Sequence, residues 1–157
     1  MGKLAEGIRC RGFFRVQIGA GEGKNAVVVG DSGWIPNTVT NDGLNNYIAG
    51  SVGANAGSKQ VSHLQLATQT ATVNATQASL LGEVYARAVV SPSTIATGTL
   101  QVTASWSSSL ITAATTIGAL GLYNTSSAGT LGAGQTFATS QIQTNQNFSG
   151  TYQLRFS

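Results

Sequence analysis

From Thr99 to Trp106 the chain reads TLQVTASW, and apolar and polar residues alternate along the whole stretch. Leu100, Val102, Ala104 and Trp106 fall on one side, with Thr99, Gln101, Thr103 and Ser105 on the other. A period of two is the signature of a strand that buries one face. It recurs in RCRGFFRVQI, where Cys10, Gly12, Phe14, Val16 and Ile18 oppose Arg9, Arg11, Phe13, Arg15 and Gln17. The closing TYQLRF repeats it, with Tyr152, Leu154 and Phe156 set against Thr151, Gln153 and Arg155.

Further strand candidates are SHLQLAT, with Leu64 and Leu66 on one face, TIGALGLYN, and SLLGEVYARAVV. In the last, Leu80, Val84, Ala86 and Ala88 are expected to face the core, opposite Glu83, Tyr85 and Arg87. GAGEGKN is a glycine-rich reversal between the first strand and the apolar run AVVV, which predicts an N-terminal hairpin over about residues 9–30. Short strands joined by Gly, Ser and Thr turns predict an all-β fold, an antiparallel β-sandwich of jelly-roll type. The 157 residues are expected to form one domain, 1–157, with no internal repeat.

One segment breaks the strand pattern. After GDSGWIP comes NTVTNDGLN, residues 37–45. Thr40 or Asn41 can cap a helix, Asp42 suits its positive end, and Leu44, Tyr47 and Ile48 form an apolar stripe ended by Gly50. The spacing predicts one short helix near residues 42–49, plugging an open end of the sandwich.

Charge is scarce. Charged residues make up 8% of the chain, against roughly 25% in average soluble domains. None occurs from Ala88 to Leu154, so hydroxyl and amide groups must solvate the surface. Such a surface repels other copies weakly and suits a protein that assembles. Lys3, Arg9, Arg11, Arg15 and Lys24 against Glu6 and Glu22 place the net charge of +3 in the first 24 residues. By this count Lys59, Arg87 and Arg155 balance Asp31, Asp42 and Glu83.

Few residues point to catalysis, and no catalytic, metal or cofactor-binding residue is expected. His63 is the sole histidine, and no nucleophile signature lies beside it in sequence. Five carboxylates show no metal or glycosidase spacing. GAGEGK lacks both the Lys-Ser/Thr of a P-loop and the third glycine of a dinucleotide fingerprint. Cys10 is the only cysteine, which excludes an internal disulfide and predicts a buried, reduced thiol. The sequons at Asn74, Asn124 and Asn147 are what a chain rich in Asn, Ser and Thr produces by chance. No apolar run suits a membrane span or signal peptide, and Glu6 stands where a myristoylation motif after Gly2 needs Ser or Thr. Synthesis in the cytoplasm is the expectation, with no membrane partner. Without an extended basic stripe, nucleic acid is not an expected partner either.

Two candidate contact regions remain. Arg9, Arg11 and Arg15 share a face with Phe13, and Arg and aromatic residues are enriched at binding centres. The same arginines could equally guard an edge strand. Trp34, in a Gly/Pro turn, is the candidate for stacking on a glycan, whereas Trp106 is expected in the core.

NTVTNDGLN, placed after an N-terminal hairpin, resembles an N-x-V-T-N-x-G-L-N element of small structural proteins of tailed bacteriophages. IGALGLYNTSSAGTLGAGQTFA, residues 117–138, looks like that family's strand–turn–strand, and GTYQLRFS like its closing strand. Together the three cover roughly half of the chain. The resemblance implies a virion location and a non-enzymatic structural role, foremost as a capsid decoration or cement protein. The implied partners are the major capsid protein or another virion subunit, with the chain itself a homo-oligomer and a symmetric trimer preferred. Alternatives are a tail or head-fibre component binding a host glycan and, more distantly, an extracellular adhesive or filament-forming module.

Overall fold

The structure is a computed structural model that describes residues 9–21, 23–52 and 59–157. Gly2, Lys3, Glu6 and Glu22, and with them part of the N-terminal charge balance, lie outside the described residues. Eleven strands are described: β1 Cys10–Ala20, β2 Val27–Asp31, β3 Ile35–Pro36, β4 Thr38–Val39, β5 His63–Ala67, β6 Glu83–Val89, β7 Ser91–Ala96, β8 Thr99–Trp106, β9 Thr115–Tyr123, β10 Ala133–Ile142 and β11 Gln146–Phe156. They form two antiparallel sheets. One runs β2-β1-β11-β8-β7, with β3 also paired to β1; the other runs β4-β10-β9-β5-β6. This establishes the all-β sandwich. The strand order does not by itself establish the jelly-roll type.

The core lies between the sheets, where the alternating strands deliver Phe14, Val16, Val102, Ala104, Trp106, Phe148, Tyr152 and Leu154 to meet Leu64, Leu66, Leu120 and Leu122. Trp106 is fully buried, its indole N–H donating to the Ala86 carbonyl at 2.8 Å and its ring meeting Phe148 edge-on at 5.6 Å. β9 is buried on both faces because a second, smaller cluster forms behind it. There Ala119 and Tyr123 pack with Val73, Leu80 and Leu131. That double burial is why TIGALGLYN reads as a nearly continuous apolar run.

The expected hairpin is present, β1 turning through Gly23–Asn25 into β2. In β6 the expected face is corrected at Ala86, which is exposed. Leu64 pairs with Ala88 but Leu66 with Val84, so β6 bulges between them, and Tyr85 adopts φ of 58°. The buried Gln65 amide fills the bulge, donating to the carbonyls of Val84 and Leu66, each at 2.7 Å.

The short helix spans Gly43–Ala49 and continues through Gly50–Val52, so Gly50 does not end it. The Gly50 N–H donates to Asn45 O, five residues back, which marks a winding wider than an α-helix. The wider turn moves Tyr47 away from Leu44 and towards Gly43. Gly43 and Tyr47 are therefore the buried pair, Ile48 packs against the core edge, and Leu44, expected inward, is 45% exposed. Of the two candidate caps, Thr40 acts: its hydroxyl accepts from the Gly43 N–H at 3.0 Å and donates to Leu131 O at 2.5 Å.

Candidate functional site: an arginine–aromatic sheet face

The outward positions of β1 and β11 meet in register on the solvent side of the six-stranded sheet. Arg11 pairs with Arg155, Phe13 with Gln153 and Arg15 with Thr151, while β8 places Gln101 beside Gln153. These side chains point outward because Gly12, Phe14, Val16, Tyr152 and Leu154 take the inward positions. Arg9, just before β1, keeps the same parity, and its backbone exchanges hydrogen bonds with Ser157.

Arg155 organises the face. Its Nε and Nη2 both donate to Gln153 Oε1, at 2.9 and 2.6 Å, and Gln153 in turn donates to Gln101 Oε1 at 2.8 Å. The guanidinium thereby lies over the Phe13 ring, 4.3 Å from its centroid, and 5.6 Å from that of Trp34. Each such contact is worth about 0.5–1 kcal/mol at an exposed site. Phe13 is half-buried and Trp34 is 37% exposed.

Arg15 has a different role from the one its parity suggests. Its Nε and Nη2 bind both carboxylate oxygens of Asp31, at 3.0 and 2.5 Å. Asp31 also accepts from the Gly33 N–H at 2.9 Å and the Gln17 amide at 3.0 Å. These bonds, with the Arg15 hydrogen bond foremost, hold the Asp31 carboxyl well below the usual carboxylate range. Arg15 is thus a neutralised strut for the turn that carries Trp34, and its guanidinium stands 6.0 Å from the Trp34 ring.

The fold decides which of these charges meet. Asp31, Asp42 and Glu83 are paired with Arg15, Lys59 and Arg87 respectively. Arg155 has no carboxylate partner among the described residues, and neither does Arg11 directly across from it. Like charges at opposed positions repel. Among the described residues this cross-strand arginine pair beside Phe13 has no compensating carboxylate. A cleft of about 490 Å³ opens beside it, lined by Cys10, Arg11, Gly12, Phe13, Pro36, Asn37, Val39 and Leu44. The NTVTNDGLN stretch supplies three of these walls, and burial pushes the Cys10 thiol pKa up.

Other chemistry-bearing groups make contacts away from this face. Arg87 stacks on Tyr123 at 3.6 Å, binds Glu83 with both oxygens, and donates to the carbonyls of Thr125 and Ala128. His63 Nδ1 lies 2.7 Å from Ser62 Oγ, its pKa lowered first by burial and then by Arg87. Among the described residues no carboxylate hydrogen-bonds this imidazole. No cluster of three metal-ligating side chains occurs among the described residues, and no helix there is long and apolar enough to cross a membrane.

The chain matches no protein family, no curated protein and no solved structure. Of the residues singled out in sequence, Arg11, Phe13 and Trp34 gather on one surface with Arg155. Sequence reasoning missed Arg155, Gln153 and Gln101. Their outward parity in TYQLRF and TLQVTASW was the available signal; what was missing was that the first and last strands are neighbours.

Proposed function

We propose that this chain is a structural protein of a tailed-bacteriophage virion, foremost a capsid decoration or cement protein that docks through its arginine–aromatic face. The observation that carries the docking step is the Arg11–Arg155 pair beside Phe13, which has no carboxylate partner among the described residues. The virion assignment rests on the resemblance of NTVTNDGLN and the two later segments. The partner surface is acidic, on the major capsid protein or a neighbouring subunit, and electrostatic attraction sets its orientation and salt dependence. A fibre component using Trp34 as a sugar platform is the weaker reading, because two guanidiniums already approach that ring.

The test is particle occupancy. Arg11→Glu with Arg155→Glu leaves the Arg15–Asp31 strut in place, so the fold should persist while incorporation into purified particles is lost. Incorporation of the unaltered protein should weaken as salt rises. Normal occupancy of the folded double variant, quantified by mass spectrometry, would remove this docking face. The same copy-number measurement separates a protein spread over the shell from one confined to the tail or a few vertices.

A further inference from the structure

β2 presents three consecutive valines, Val27, Val28 and Val29, that are 58%, 60% and 55% exposed. Successive side chains on a strand point to opposite faces, so neither face of this strand is covered. β2 is also the outermost strand of its sheet, and its outer edge has no strand partner among the described residues. Unpaired edges are ordinarily guarded by lysine, proline, inward charge, a bulge or shortness of the strand. Val27, Val28, Val29 and Gly30 carry no lysine, proline or charge, the one irregularity being the register shift that makes Val29 an extra residue. The far edge of the same sheet is different. β7 shares a register shift, between Thr94 and Ala96, but also contains Pro92, which has no N–H to offer.

We infer that β2 pairs antiparallel with β2 of a second copy of this chain across a two-fold axis, joining two six-stranded sheets into one continuous sheet.

Strand direction selects this arrangement. Every pairing from β2 through β1, β11 and β8 to β7 is antiparallel, so β2 and β7 run the same way. Joining copies head to tail, β2 to β7, would require a parallel pair ending on the proline edge. A two-fold axis at β2 gives an antiparallel pair, which is the more stable per residue, and an isologous contact that closes on itself.

Charge selects the same partner. Lys24 lies exposed in the turn before β2, and Asp31 closes the strand. Antiparallel pairing brings Lys24 of each copy towards Asp31 of the other, whereas parallel pairing sets like beside like. Asp31 also binds Arg15, so the Lys24 contact orients the two copies and contributes little attraction of its own. The inferred two-fold contact is an alternative to the three-fold arrangement expected from sequence. It is independent of the virion reading, since it uses a sheet edge and not the Arg11–Arg155 face.

Sedimentation across a concentration series tests it, with Val27→Lys/Val29→Lys as the edge variant and Ile95→Lys on β7 as the control. Both sites are exposed, so both variants should keep the far-ultraviolet circular dichroism of the parent. The parent and the β7 variant should sediment as two chains and the β2 variant as one. In the parent, hydrogen exchange at the backbone amides of 27–30 should slow as concentration rises, a readout that needs no substitution. A parent that stays a single chain at its highest soluble concentration overturns the inference. So does a pair that survives the β2 substitutions or dissociates with the β7 substitution, or exchange at 27–30 that ignores concentration.

Discussion

Replacing Gly43 by Ala sets two effects against each other at the centre of the NTVTNDGLN segment. Gly43 lies inside the helix with its φ outside the left-handed region, and helix propensity alone says alanine there stabilises by up to about 1 kcal/mol. Packing says the opposite. A Cβ at this position would stand 1.9 Å from the carbonyl oxygen of Gly132 and 2.8 Å from its carbon, and real Cβ atoms essentially never come within 3.0 Å. The obstacle is backbone, so the helix must withdraw by roughly 1.1 Å to clear it. That movement pulls on Thr40, whose N–H and hydroxyl both donate to Gly132 O at 3.2 Å and whose hydroxyl also reaches Leu131 O. It also lifts Tyr47 from Gly132, against which its ring is packed. Overpacking costs about 1–3 kcal/mol and each strained hydrogen bond about 1. After the propensity gain, a net loss of about 3 kcal/mol remains. For a chain of this length that lowers the melting temperature by about 6–12 °C. Thermal unfolding followed by circular dichroism and calorimetry reads this directly. Leu44→Ala, next door and exposed, is the control and should stay within about 0.5 kcal/mol of the parent. A melting temperature for Gly43→Ala equal to or above that of the parent would refute the argument, because propensity would then have outweighed the contact with Gly132.

Trp106→Ala should cost about 3–5 kcal/mol in chemical denaturation, since a fully buried indole, its bond to Ala86 and its edge contact with Phe148 are all lost; a change under about 1 kcal/mol would place it outside the core. Asp31 has a depressed pKa, so its stabilising contribution is present above the ordinary carboxylate value of about 3.9 and fades only as pH falls below it. A carbon-detected magnetic resonance titration should show no midpoint for Asp31 near pH 4, and Asp31→Asn should free the Trp34 turn and red-shift its fluorescence; an ordinary midpoint would mean the Arg15 strut is not formed.

Faces were legible in the sequence wherever one period held without interruption. Alternation in β1, β8 and β11 assigned Phe14, Val102, Trp106 and Tyr152 to the interior, and Thr40 was recognisable as a cap. What failed was everything set by register or by local rewinding. Ala86 keeps perfect parity in SLLGEVYARAVV, yet the bulge filled by Gln65 turns it outward. Leu44 keeps perfect helical spacing for an α-helix, but the chain there is wound wider because Gly43 is drawn against Gly132. Charge counting by segment says nothing of pairing, and Asp31 is taken by Arg15, sixteen positions away across a hairpin. The contact face shows the same division. Arg11 and Phe13 were visible as a pair, but their companions come from β11 and from the Trp34 turn, which no local pattern brings to them.

The placement of β11 also governs when the fold can form. It is the middle strand of its sheet, flanked by β1 on one side and β8 on the other, and Gln146–Phe156 is synthesised after both neighbours. Until those residues leave the ribosome, the β1–β2 and β7–β8 hairpins have no strand to join them, and the inward faces of Phe14, Val16, Val102 and Trp106 wait uncovered. Pairing residues 10–20 with residues 146–156 then closes nearly the full length of the chain in one step, the kind of distant contact that makes folding slow. A nascent chain stalled before β11 therefore holds two hairpins with open edges, the species most exposed to aggregation.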